Sequence, residues 1–89
     1  MIEDMREHLR RADALLREAR YGEAISLYQA AGDAYAQRGI ALKAVALFCH
    51  IVSLVDQWAP ELSDARGRAL LGLLHGYTRL GLHAEASRV

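Results

Sequence analysis

Eighty-nine residues make one domain, close to the lower limit at which a chain supports its own core. The apolar share of 53% excludes a disordered chain, and eleven basic against eleven acidic residues leave no electrostatic footprint for sequence-independent nucleic-acid binding. A single cysteine, Cys49, excludes an internal disulfide and makes a reducing compartment the default.

The opening run Met1-Ile2-Glu3-Asp4-Met5-Arg6 is charged and has no apolar stretch of signal-peptide length. Beyond it, Ile2, Met5, Leu9, Ala12, Leu16 and Ala19 alternate three and four apart, which is one stripe of a helix. Acids gather at the start and arginines at the end, the order that the helix dipole favours. These signals predict a first helix over about residues 2–20 with one wet face. Tyr21-Gly22-Glu23 reads as a short connector, with Gly22 as the left-handed residue that ends the helix. A second helix, about 23–38, places Ala24, Ile25, Tyr28, Ala31, Gly32 and Tyr35 on one face, and Arg38-Gly39 stops it.

The third helix, about 40–57, carries Ala41, Leu42, Val45, Phe48, Val52 and Val55 on one side and Leu47, Ile51 and Leu54 on the other. A helix apolar nearly all round is surrounded by neighbours, so this one is expected at the centre. Its most apolar stretch, Ile40 to Val55, contains Lys43 and His50 and is shorter than a bilayer span, so no membrane association is expected and the location expected is cytoplasmic. Trp58-Ala59-Pro60 breaks the pattern, because the residue before Pro avoids helical geometry. A fourth helix, about 62–80, carries Leu62, Ala65, Ala69, Leu70, Leu73, Tyr77 and Leu80 and ends at Gly81, and 83–89 opens a further helix. The fold class expected is all-α, with residues 1–89 forming one domain of antiparallel helical hairpins.

Local similarity appears when the connectors are aligned. Tyr21-Gly22-Glu23-Ala24-Ile25-Ser26-Leu27-Tyr28 resembles the second-helix start of a tetratricopeptide repeat (TPR), with a small Ala and an aromatic four apart. Gly32-Asp33-Ala34-Tyr35, Gly39 and Lys43-Ala44-Val45-Ala46-Leu47-Phe48 resemble the family's Gly, Tyr, Gly, Ala, aromatic series, and Tyr77, Gly81 and Ala86 echo it. Gly32 and Ala44 would let antiparallel helices approach closely, while Tyr35 and Phe48 would fill the space between hairpins. Family repeats recur at about 34 residues, whereas Ala24 to Ala44 is 20 and Ala44 to Ala86 is 42. The second helix thus serves as the second of one hairpin and the first of the next. The usual Pro after the second helix is missing, with Val55-Asp56 near its place.

The resemblance implies a TPR-like right-handed array of four to five helices that binds a partner polypeptide as an adaptor or chaperone-like domain. Small bacterial secretion chaperones are one version, and the N-terminal module of a longer regulatory protein is another. In such families the groove is lined by the first helix of each hairpin. Carried onto this chain, that implies Arg6, Arg10, Asp13 and Arg17 from the first helix, Gln29, Asp33 and Gln37 from the second, and Arg68, His75 and Arg79 from the fourth. Arginine and amide side chains suit the carboxylates and backbone of an incoming segment. Solvated polar faces are the plainer reading of the same residues.

Other constellations fail. The four histidines, His8, His50, His75 and His83, have no pair three or four apart, so no metal site and no cofactor is expected. Cys49 lies in the most apolar helix, where thiols are usually inert core residues. With no glycine-rich phosphate loop, nucleophile elbow or paired catalytic acids, no enzyme is expected. Gly72 and Gly76 point to close packing of the fourth helix on the third, or to a groove for a partner's helix. The fourth helix also has more apolar residues than one neighbour can cover. An apolar C-terminal interface around Leu71, Leu74, Leu82 and Val89 is therefore expected, covered by a partner, by a second copy of the chain in a self-associating structural module, or by further sequence. The plainer alternative is that the first helix folds back onto it.

Overall fold

A computed structural model of the protein describes residues 2–81, with side chains from Met5 onwards. It consists of four α-helices, α1 (Ile2–Arg17), α2 (Tyr21–Gln37), α3 (Ala41–Trp58) and α4 (Ser63–Leu80), with no strand among the described residues. Successive helices pack on one another as antiparallel hairpins. In addition α2 touches α4, whereas α1 packs on α2 alone. The Cα envelope measures 41 × 32 × 16 Å, a slab two helix layers thick.

The turns explain where the helices stop. Ala19 has φ 61° and Gly39 has φ 77°. Each is followed by the same hydrogen bond, Arg20 N–H to Leu15 O and Ile40 N–H to Tyr35 O, both 2.9 Å. These are six-to-one Schellman closures, which satisfy carbonyls that the ending helix leaves open. The left-handed residue of the first turn is therefore Ala19, not Gly22, which lies inside α2 with an ordinary φ. Closure at Ala19 ends α1 at Arg17, three residues earlier than the hydrophobic stripe predicts. The expected helix within 83–89 lies outside the described residues.

The core is built around α3, which packs between α2 and α4. Tyr28, Phe48, Ile51 and Val55 are its largest fully buried side chains, each contributing about 1.5–3 kcal/mol by burial. Phe48 is the wedge. A methyl group built at Gly32 would stand 2.5 Å from Phe48 Cε1, and one at Gly72 would stand 2.6 Å from Cε2. Val45 presses on Gly76 in the same way. Gly72 and Gly76 of α4 thus serve the packing of α4 on α3, and Gly32 admits the other edge of the Phe48 ring.

The central helix is less enclosed than its composition predicts. Leu42 is 70% exposed, and Cys49 and His50 are exposed rather than buried. The Cys49 sulfur lies 3.8 Å from the Tyr77 hydroxyl at the surface between α3 and α4. By length and composition alone, α3 is long and apolar enough to cross a membrane. Ala44, Val45, Phe48, Ile51, Leu54 and Val55 of this helix are buried. At the other end of the slab Trp58 stacks on Tyr21, their rings 6.3 Å apart and 7° from parallel. Arg66 donates to Asp56 at 2.7 Å, joining α4 to α3 by a surface pair, worth about 0–1 kcal/mol.

Candidate partner-binding groove

Because α2 and α4 are both antiparallel to α3, they run parallel to each other, and a groove lies between them. The polar stripe of α2 that borders it is Ser26, Gln29, Asp33 and Gln37, spaced three and four apart. Opposite stands the stripe Asp64, Arg68, Gly72, His75 and Arg79 of α4, with the same spacing. Each helix has turned its apolar side to the core, so these faces are what remains.

Two hollows lie along the groove. The first, about 270 Å³, is walled by Ile25, Ser26 and Gln29 on one side and by Glu61, Asp64, Ala65 and Arg68 on the other. The second, about 260 Å³, has Phe48, Ala41, Ala44, Gly72 and Gly76 in its lining and Asp33, Gln37, His75 and Arg79 among its polar groups. Both fall below the roughly 300–1,000 Å³ of small-molecule sites, and each matches the size of a side chain.

Hydrogen bonding organises part of this surface. Gln29 Nε2 donates to Asp33 Oδ1 at 3.1 Å. That bond leaves Gln29 Oε1 buried and without a donor among the described residues, an acceptor whose desolvation cost a partner N–H would relieve. Arg79 Nη1 donates to the Ala36 carbonyl at 3.1 Å. It is a second donor to that carbonyl, which also accepts the Gly39 N–H, at the C-terminal end of α2, where the helix dipole favours a cation. Arg79 thus closes one end of the groove, while the first hollow gathers two carboxylates and one guanidinium.

Of the residues expected to line a binding groove, the six from α2 and α4, namely Gln29, Asp33, Gln37, Arg68, His75 and Arg79, are brought together here. The four from α1 are not. Arg6 and Arg10 are exposed on a helix that does not reach α4, and Arg10 lies 4.0 Å from Glu7. Asp13 accepts a hydrogen bond from Tyr28 Oη at 2.5 Å, and Arg17 sits near enough to act on the same phenol. Tyr28 in turn meets His50 of α3 edge-on at 4.9 Å, so this cluster lies on the side of α2 away from α4. Sequence reasoning did not select Ser26, Glu61 or Asp64; Ser26 and Asp64 continue the three-and-four spacing of the expected residues on α2 and α4, which is the signal that identifies them, whereas Glu61 stands in the turn before α4.

The expected apolar interface divides in the same manner. Leu71 and Leu74 are 55% and 58% exposed, with Leu70 and Tyr77 exposed beside them. α1 does not fold back over them, since it packs on α2. Leu82 and Val89 lie outside the described residues. No protein-family model matches the chain, and no curated protein or solved structure is significantly similar to it.

Proposed function

We propose that the chain is a protein-interaction module, adaptor or chaperone-like in role, whose groove between α2 and α4 receives a segment of a partner polypeptide. The observation that carries this reading is the convergence of Gln29, Asp33 and Gln37 with Arg68, His75 and Arg79 on one groove that holds two side-chain-sized hollows. Such a surface supplies both acceptors and donors for an incoming backbone, together with an apolar recess beside Phe48 for an anchoring residue. The resemblance of the hairpins to tetratricopeptide repeats supports the same reading.

Selection of peptides from a random displayed library against the purified chain tests it. Selected peptides are expected to bind at least about tenfold more weakly to Arg68→Glu and to Gln37→Glu, and equally well to Arg6→Glu and Arg10→Glu. All four variants alter exposed positions and are expected to melt as the parent does. Peptides that follow the α1 variants instead would move the site, and a library that yields no binder would end the reading.

A further inference from the structure

Ala69, Leu73 and Gly76 turn one side of α4 to the core. The opposite side carries an exposed stripe spaced four, three and four apart: Gly67, Leu71, Leu74 and Thr78. That is the spacing at which one helix forms a seam with another. Leu71 and Leu74 at its middle are 55% and 58% exposed, and Leu70 and Tyr77 along its edge are 42% and 37% exposed. A methyl group built at Gly67 meets nothing within 4 Å among the described residues, so nothing described on this chain requires a glycine in that helical position.

The size of the patch bears on what covers it. With on the order of 200 Å² for a fully exposed large side chain, these four leave on the order of 400 Å² open, as much as the largest apolar patch of a typical monomer. Two such faces laid together, with the flanking Gly67, His75 and Thr78, bury on the order of 1,000 Å². That is the threshold of a specific interface and suits a reversible dimer rather than a permanent one. The formal net charge of zero leaves no overall repulsion between copies.

We propose that this face of α4 packs on the same face of a second copy, helix antiparallel to helix, about a two-fold axis level with Gly72 and Leu73. The stripe is self-complementary in that sense. Leu71 of each copy lies against Leu74 of the other, Leu70 lies beside Tyr77, and Thr78 stands over the space that Gly67 leaves. Parallel helices would bring Asp64 onto Asp64 and Arg68 onto Arg68, the exposed charges nearest the seam. Antiparallel packing sets Asp64 level with Gly81 and Arg68 level with Tyr77, so like charges do not meet, and it opposes the two helix dipoles.

Sedimentation equilibrium of the full chain tests this. A reversible dimer is expected, with a dissociation constant of about 1–100 μM. Leu71→Glu combined with Leu74→Glu is expected to weaken it at least about a hundredfold. At concentrations where the parent is monomeric, the same double variant is expected to keep the parent's Tm, since both positions are exposed. Orientation is read by a short bis-maleimide reagent in a Cys49→Ser background. Antiparallel packing holds the two Leu71 positions about 5 Å apart along the helix axis and the two Ser63 positions about 28 Å apart. Leu71→Cys should therefore link copies at least about tenfold faster than Ser63→Cys, and equal rates would overturn the antiparallel seat. A chain that stays monomeric at about 1 mM, or a dimer that survives both glutamates, would overturn the proposal. So would a lower Tm of the monomeric double variant, which would make the occupant a part of the same chain.

Discussion

At the scale of single residues, the fold depends on how little space surrounds the Phe48 ring. Gly32 and Gly72 stand on opposite edges of it, each with no room for a methyl group. Phe48→Ala is expected to cost about 3–5 kcal/mol, a large part of the roughly 5–15 kcal/mol that holds such a domain folded. Tyr35→Ala, at a half-buried site, is expected to cost less. Gly32→Ala should destabilise by about 1–3 kcal/mol through overpacking, although alanine favours a helix. In a Phe48→Leu background the sign should reverse, because the smaller side chain vacates the clash. Urea denaturation of the four chains reads this coupling directly, and equal costs in both backgrounds would show that the ring and the glycine act independently. Tyr28 allows a second test. Burial, and then the bond to Asp13, push its phenol well above the ordinary tyrosine value. The folded state therefore keeps the proton that the unfolded chain loses above about pH 10, so stability is full below that pH and falls as pH rises beyond it. Tyr28→Phe should flatten the fall in melting temperature above pH 10, and an unchanged slope would dismiss the bond as a source of it.

At the scale of elements, the first turn carries a cost that the others avoid. Ala19 adopts the left-handed conformation that Gly39 and Gly81 reach without penalty, and a Cβ there opposes it by about 1–2 kcal/mol. Ala19→Gly should raise stability by up to about 1 kcal/mol once the extra freedom of glycine in the unfolded chain is subtracted. A lower midpoint in urea would mean that α1 ends by some other constraint. The sequence identified the buried face of α2 well, and that of α1 from Met5 to Leu16, because each shows a single stripe. Ala19, at the end of the α1 stripe, is exposed in the turn. The sequence placed α3 at the centre but overstated its enclosure. Periodicity cannot say that Leu42, Ala46 and Cys49 are left exposed, since that depends on which helices arrive.

At the scale of the molecule, one ring joins three helices, so α2, α3 and α4 should melt together. Trp58 reports on the end of the slab where it stacks on Tyr21. Its fluorescence and the far-ultraviolet dichroism are expected to give coincident denaturation midpoints. An earlier fluorescence transition would show that the α2–α3 end opens before the rest. The groove belongs to this scale too. It exists because α2 and α4 run parallel in one layer, an arrangement that no single helix specifies.

The amino-acid sequence by itself determined the helical class, the number and approximate reach of the described helices, the interior positions of α2, and the glycines that admit close packing. Those follow from local propensity, periodicity and side-chain size, which are written residue by residue. Gln29, Asp33, Gln37, Arg68, His75 and Arg79 were singled out through the resemblance to tetratricopeptide repeats, together with the four residues of α1. Only the tertiary structure decided that these six share a groove while Arg6, Arg10, Asp13 and Arg17 stand apart, and that the exposed side of α4 is not covered by α1. The physical reason is that a stripe records which way a helix faces its nearest neighbour. The meeting of α2 with α4 depends instead on the packing of both against α3, with the Phe48 ring held between Gly32 and Gly72.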